Sequence, residues 1–116
     1  MSIRKVILND ECTGYIDSQG PQVAKKFLYI VQIIQTKKVV STKFVKKIVG
    51  TDFFELRITT DNEHRVITFA LDNDSFIEST EIVLLNGFIK KDKKDYKPAI
   101  KRAKRLLSEY QNDEDE

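Results

Sequence analysis

Apolar residues recur at helical spacing in two long stretches of the chain and alternate with polar ones between them. From Gln22 to Gln35, residues Val23, Phe27, Ile30, Val31 and Ile34 fall three or four apart, with Ala24 and Leu28 widening the stripe, which predicts an amphipathic helix. Pro21 suits its first turn, where the N–H that proline lacks has no partner to lose. A second, shorter helix is expected from Ser41 or Thr42 through about Val49, with Phe44, Val45 and Ile48 inward, Lys43, Lys46 and Lys47 outward and Gly50 as its stop. A last helix is expected from Asp95 or Lys97, its stripe formed by Ala99, Ile100, Ala103, Leu106, Leu107 and Tyr110.

Strand signals lie between these helices. Phe53 to Thr60 and Glu63 to Leu71 are rich in β-branched and aromatic residues and flank the turn formers Asp61 and Asn62, so they form an antiparallel hairpin. A third strand follows at about Glu81 to Phe88, and Arg4 to Asn9 is a short run that fits an edge strand; Asp10 to Gly20 carries turn residues with little periodicity. The sum is a small α+β domain over residues 1–110, with two N-terminal helices, an antiparallel sheet of three to four strands and a closing helix. Alternation sets Glu55, Arg57 and Thr59 opposite Leu56 and Ile58, and Arg65 with Ile67, Phe69 and Leu71 opposite His64, but does not say which faces are covered. His64 fits a surface position at the hairpin end.

Composition narrows the class. With 116 residues, 41% hydrophobic and 33% charged, the chain is one globular domain. It lacks a long apolar span and an N-terminal cleavage pattern, so a soluble cytoplasmic protein is expected, without a membrane role. A lone cysteine, Cys12, and a lone histidine, His64, leave no disulfide framework and no metal constellation, and no cofactor motif is visible. Charge is uneven: residues 90–105 hold nine basic side chains against Asp92 and Asp95, and residues 111–116 form an acidic tail expected to be disordered. Such a basic concentration suits a polyanion, because binding releases counterions; a solvated helix face is the plainer explanation.

The segments GTDFFELRI, HRVITF and IVLLNGFIKKDKKDYKPAI, in that order, resemble the RelE/ParE superfamily of bacterial toxin–antitoxin toxins, in its HigB-like, phage-derived branch. The resemblance runs from about Tyr15 to Tyr110. It implies a type II toxin that cuts messenger RNA on the ribosome without metal or cofactor and is held inactive by a cognate helix-turn-helix antitoxin. By position it assigns Arg57, Arg65, Lys90 and Lys91 to the cleavage surface. Asn86 stands where the family often has His and Asp92 where Ser or Thr is common, departures that keep open a catalytically decayed binding module. A ParE-like inhibitor of DNA gyrase is the other alternative.

Metal-free RNA cleavage needs cations where charge builds on the phosphate, a demand met by arginine forks and lysine ammonium groups. Arg57 and Arg65 are the expected transition-state clamps. Lys93, Lys94, Lys97 and Lys101 are expected to bind RNA, with Tyr96 either stacking on a base or covering the core edge. Glu55 either takes the proton or pairs with a neighbouring arginine.

Overall fold

The computed structural model describes residues 2–114. The run after Arg4 forms the expected edge strand, β1 (Lys5–Leu8). Asn9 then caps a helix, α1 (Asp10–Ser18): its side-chain oxygen accepts from the Glu11 amide at 2.9 Å, and Asp10 and Glu11 put negative charge at the helix's positive end. The sequence predicts no helix here, because the inward side is only Cys12, Tyr15 and Ile16 and the favourable start is its one clear signal. The next helix, α2 (Pro21–Thr36), has Pro21 in its first turn and buries Val23, Phe27, Ile30 and Ile34.

The second predicted helix does not form. Ser41 turns the chain by accepting from the Lys43 amide at 3.1 Å, and a short strand, β2 (Val45–Lys47), follows. Residues 39–49 include Val39, Val40, Thr42, Val45, Ile48 and Val49, whose branched Cβ atoms favour extended backbone. Gly50, with φ of 80°, is not a helix stop but part of the β2–β3 connection, where a positive φ suits glycine.

The predicted hairpin is present as β3 (Phe54–Thr59) and β4 (Glu63–Ala70), the third strand as β5 (Glu81–Ile89). After a 3-10 turn at Lys93–Asp95 the closing helix, α3, spans Tyr96–Glu114. It therefore continues into the stretch expected to be a disordered tail; Asp115 and Glu116 lie outside the described residues. The fold is α+β, but the sheet has five strands in the order β1-β5-β4-β3-β2 and is mixed, since β1 runs parallel to β5 while the other pairs are antiparallel. The unforeseen parts are β2, too short to carry a strong period, and the parallel pairing of β1.

Helices cover both faces of this sheet. Leu56, Ile58, Val66 and Leu84 pack against Cys12, Ile16, Phe27 and Ile30 of α1 and α2, and Phe53, Ile67, Val83 and Leu85 against Ala99, Ala103 and Leu106 of α3. Strands apolar on both sides show no clean alternation, which is why the covered face could not be assigned from the period. A bulge between Ile67 and Thr68 leaves Leu85 without a direct partner and turns the end of β5, so that Gly87 faces α1 and Phe88 lies opposite Arg65.

Two buried polar groups tie the helices down. Arg4, 2% exposed, donates to the carbonyls of Ile34, Lys37 and Lys38 at the end of α2 and to those of Phe76 and Ile77, supplying the cation that the last turn of α2 lacks. His64 is buried rather than at the surface, because α1 lies over it; its Nδ1 shares a 2.6 Å hydrogen bond with the Tyr15 hydroxyl. A Cβ at Gly87 would collide with the Tyr15 ring, so glycine is what lets α1 approach this closely.

Burial lowers the pKa of His64, with the Arg65 charge acting the same way and Glu63 opposing. The unfolded chain thus binds a proton near pH 6.5 that the folded chain resists, so stability is full above that value and is lost as the pH falls through it. Urea midpoints should decline between about pH 7.5 and 5.5; a midpoint constant over that range contradicts the burial of a neutral His64.

Candidate functional site

The site grows from one row of side chains on the α3 face of the sheet. The β3–β4 register sets Arg57 directly opposite Arg65, and the β2–β3 register sets Lys46 opposite Glu55. Two like charges facing each other across adjacent strands repel. Glu55 relieves this: its Oε1 lies 3.4 Å from Arg57 Nε and 3.7 Å from Arg65 Nε, both of them ion pairs rather than hydrogen bonds. Its Oε2 accepts from the Tyr96 hydroxyl at 2.5 Å, fastening the start of α3 to β3. Tyr96 also meets Phe88 edge-on at 5.3 Å, and its pKa is raised by burial first and by Glu55 second, so it stays a proton donor.

The two arginines differ in access. Arg65 has a side chain 3% exposed, beneath the residues around it, and is further engaged by Glu63 Oε2 at 3.2 Å and the His64 carbonyl at 3.0 Å. It cannot present its fork to an incoming phosphate, which corrects its expected part as a clamp; alternation had set it among Ile67, Phe69 and Leu71 on a face that α3 covers. Arg57, 30% exposed, keeps one flank open.

The lysine run enters on a short capped turn. The Asp95 carboxylate accepts from the Lys91 and Asp92 amides at 2.8 and 2.9 Å, and Asp92 accepts from the Lys94 amide at 3.1 Å, closing a capping box. These backbone donors, that of Lys91 foremost, hold the Asp95 carboxyl below its usual range. Asp92 is thus a turn former, and Asn86 is buried with its amide donating to the Ala99 carbonyl at 3.1 Å; both side chains are engaged within the fold.

These elements enclose an open cleft of about 550 Å³ lined by Lys46, Glu55, Arg57, Lys90, Lys93 and Tyr96, with Ile48, Val49 and Ile100 as apolar lining. Lys47 also borders it, although its ammonium sits over the Phe54 ring at 5.2 Å, on the other face. Of the expected catalytic residues, Arg57 and Lys90 line the cleft, Arg65 lies beneath it and Lys91 is exposed outside it. Of the expected RNA-binding residues, Lys93 and Tyr96 line it, while Lys94, Lys97 and Lys101 are exposed but do not. Helical spacing in residues 41–49 conceals Lys46; as a strand, the segment sets it beside Glu55.

One carboxylate amid four cations and a phenol suits a phosphodiester, whose oxygens want several donors and whose hydroxyl nucleophile wants a proton acceptor. Cys12 is no competing nucleophile: burial pushes its thiol up to about 12. Among the described residues no group of three or more His, Cys, Asp or Glu is placed to hold a metal, and no helix is long and apolar enough to cross a membrane.

The family model described as "Phage derived protein Gp49-like (DUF891)" matches residues 14–108. That agrees with the resemblance to RelE-like toxins at the level of the broad family and does not single out the HigB-like branch. No curated protein matches the chain significantly.

Removing the charge of Glu55 leaves Arg65 buried opposite Arg57 with only Glu63 as counterion. Glu55→Gln should therefore cost about 3 kcal/mol of stability, whereas Arg57→Ala, at a partly exposed position, should cost under about 1 kcal/mol. Urea unfolding of the two variants checks this, and equal losses contradict the assigned division between a strut and an open cation.

Proposed function

The chain belongs to the phage-derived Gp49-like family, and from that membership together with the cleft we propose that it is the toxin of a type II toxin–antitoxin system, of the HigB-like branch, acting as a metal-independent endoribonuclease on messenger RNA. The observation that carries this reading is the convergence of Arg57, Lys46, Lys90, Lys93 and Tyr96 around Glu55 in one open cleft. Its partners are then the message on the ribosome and a helix-turn-helix antitoxin that silences it.

In this reading the ribose 2′-hydroxyl attacks the adjacent phosphorus, the bond to the 5′-oxygen breaks and a 2′,3′-cyclic phosphate forms. Arg57 offers two parallel donors to the phosphoryl oxygens, and Lys90 and Lys93 add mobile charge, all of which matter most as charge develops in the transition state. Glu55, its side chain 7% exposed at the floor of the cleft, takes the 2′ proton once the strand is seated, through lone pairs beyond those turned to Arg57, Arg65 and Tyr96. A lysine ammonium returns a proton to the leaving 5′-oxygen. Arg65 is a positioning residue, holding Glu55 from below.

A second reading, RNA binding without cleavage, is favoured by the engagement of Glu55 with both arginines and Tyr96. One experiment separates them. Purified protein incubated with ribosomes and message should generate cleavage sites visible by primer extension, reduced about 100-fold by Arg57→Ala or Lys90→Ala. Intact message that remains bound in a salt-sensitive manner supports the binding module, and intact message without binding overturns both.

A further inference from the structure

Arg57 borders a second cavity, on the opposite side of the sheet edge from the cleft. The reason is the shortness of β2: its pairing with β3 begins at Val45 opposite Leu56, so Arg57 to Thr59 have no strand beside them on that side, only the Phe44 carbonyl, which accepts from the Arg57 amide at 2.7 Å. The gap is a cavity of about 230 Å³ lined by Tyr29 of α2, Phe44, Lys26, Lys43 and Arg57.

Its chemistry is specific in kind. Tyr29 is a large ring 58% exposed, standing edge-on to Phe44 at 6.0 Å. Lys43 lies 5.8 Å from the Phe44 ring centre, and Lys26 donates to the Thr59 carbonyl at 2.5 Å, fixing α2 against the end of β3. One exposed ring, Tyr29, braced edge-on by Phe44 and bounded by three cations, with no carboxylate in the lining, matches a nucleobase and its flanking phosphates. A stretch of acidic side chains shares the charge but has no flat ring to lie on Tyr29.

We propose that this cavity is a base-holding subsite for single-stranded RNA, one nucleotide's base stacked on Tyr29, which Phe44 braces, while the strand crosses the open sheet edge and its next phosphate meets Arg57. This rests on the cleft being the RNA site, and it gives Arg57 a double part, as a cation of the cleft and as the link to the neighbouring nucleotide. A base seated there fixes which phosphodiester reaches Glu55, so the subsite sets register along the message.

Fluorescence anisotropy with a labelled single-stranded RNA of about eight nucleotides, and an unlabelled trinucleotide as competitor, tests it. Tyr29→Ala and Lys43→Ala, both at exposed positions, should each weaken the longer RNA about tenfold and leave the trinucleotide unchanged, while Lys90→Ala weakens both. If Lys90→Ala acts and the Tyr29 and Lys43 variants do not, the subsite is overturned, the cavity is left to a protein partner, and the cleft stands. If none of the three variants changes either affinity, the cleft itself is not the RNA site and the subsite falls with it.

Discussion

A single carboxylate makes the arrangement possible. Adjacent strands set Arg57 and Arg65 face to face, and Glu55, between their two Nε atoms, turns that repulsion into a bridge. Because its other oxygen holds Tyr96, the same group fixes where α3 starts, and so where the turn bearing Lys90 and Lys93 stands above the sheet. The apolar packing of Ala99 and Ala103 brings α3 close enough for this contact. Packing and charge thus specify one geometry together.

The cations are divided by access. A buried guanidinium is costly unless held on several sides, and both buried arginines are: Arg4 by backbone carbonyls, Arg65 by Glu55, Glu63 and a carbonyl. Their work is to position other groups. Arg57 and the lysines of the cleft keep contact with water, where they can exchange it for phosphate oxygens. Lys97 and Lys101, exposed on α3, add to the positive field on that side without shaping the cleft.

Much of this was legible in the chain. The long periods of α2 and α3 and the branched residues of β3, β4 and β5 place those elements close to where they lie. Two short elements were not: α1 has only a few inward side chains, and without it His64 reads as a surface residue instead of lying beneath Tyr15. Residues 45–48 satisfy helix and strand spacing alike, and taking them for a helix hid Lys46. Alternation grouped Arg65 with Ile67 and Phe69 correctly, but burial of that face depended on α3 docking there. The stripe of Ala99, Ala103 and Leu106 was the signal that something would be covered, without saying which face.

The proposed RNA contact puts Arg57, steadied by Glu55, against the polyanion while Arg65 is held beneath it. Nitrogen-15 spectra of the arginine Nε–H groups during titration with single-stranded RNA address it directly. A progressive shift of the Arg57 resonance is expected, with that of Arg65 nearly still; an unmoved Arg57, with changes confined to the outer face of α3, contradicts the contact.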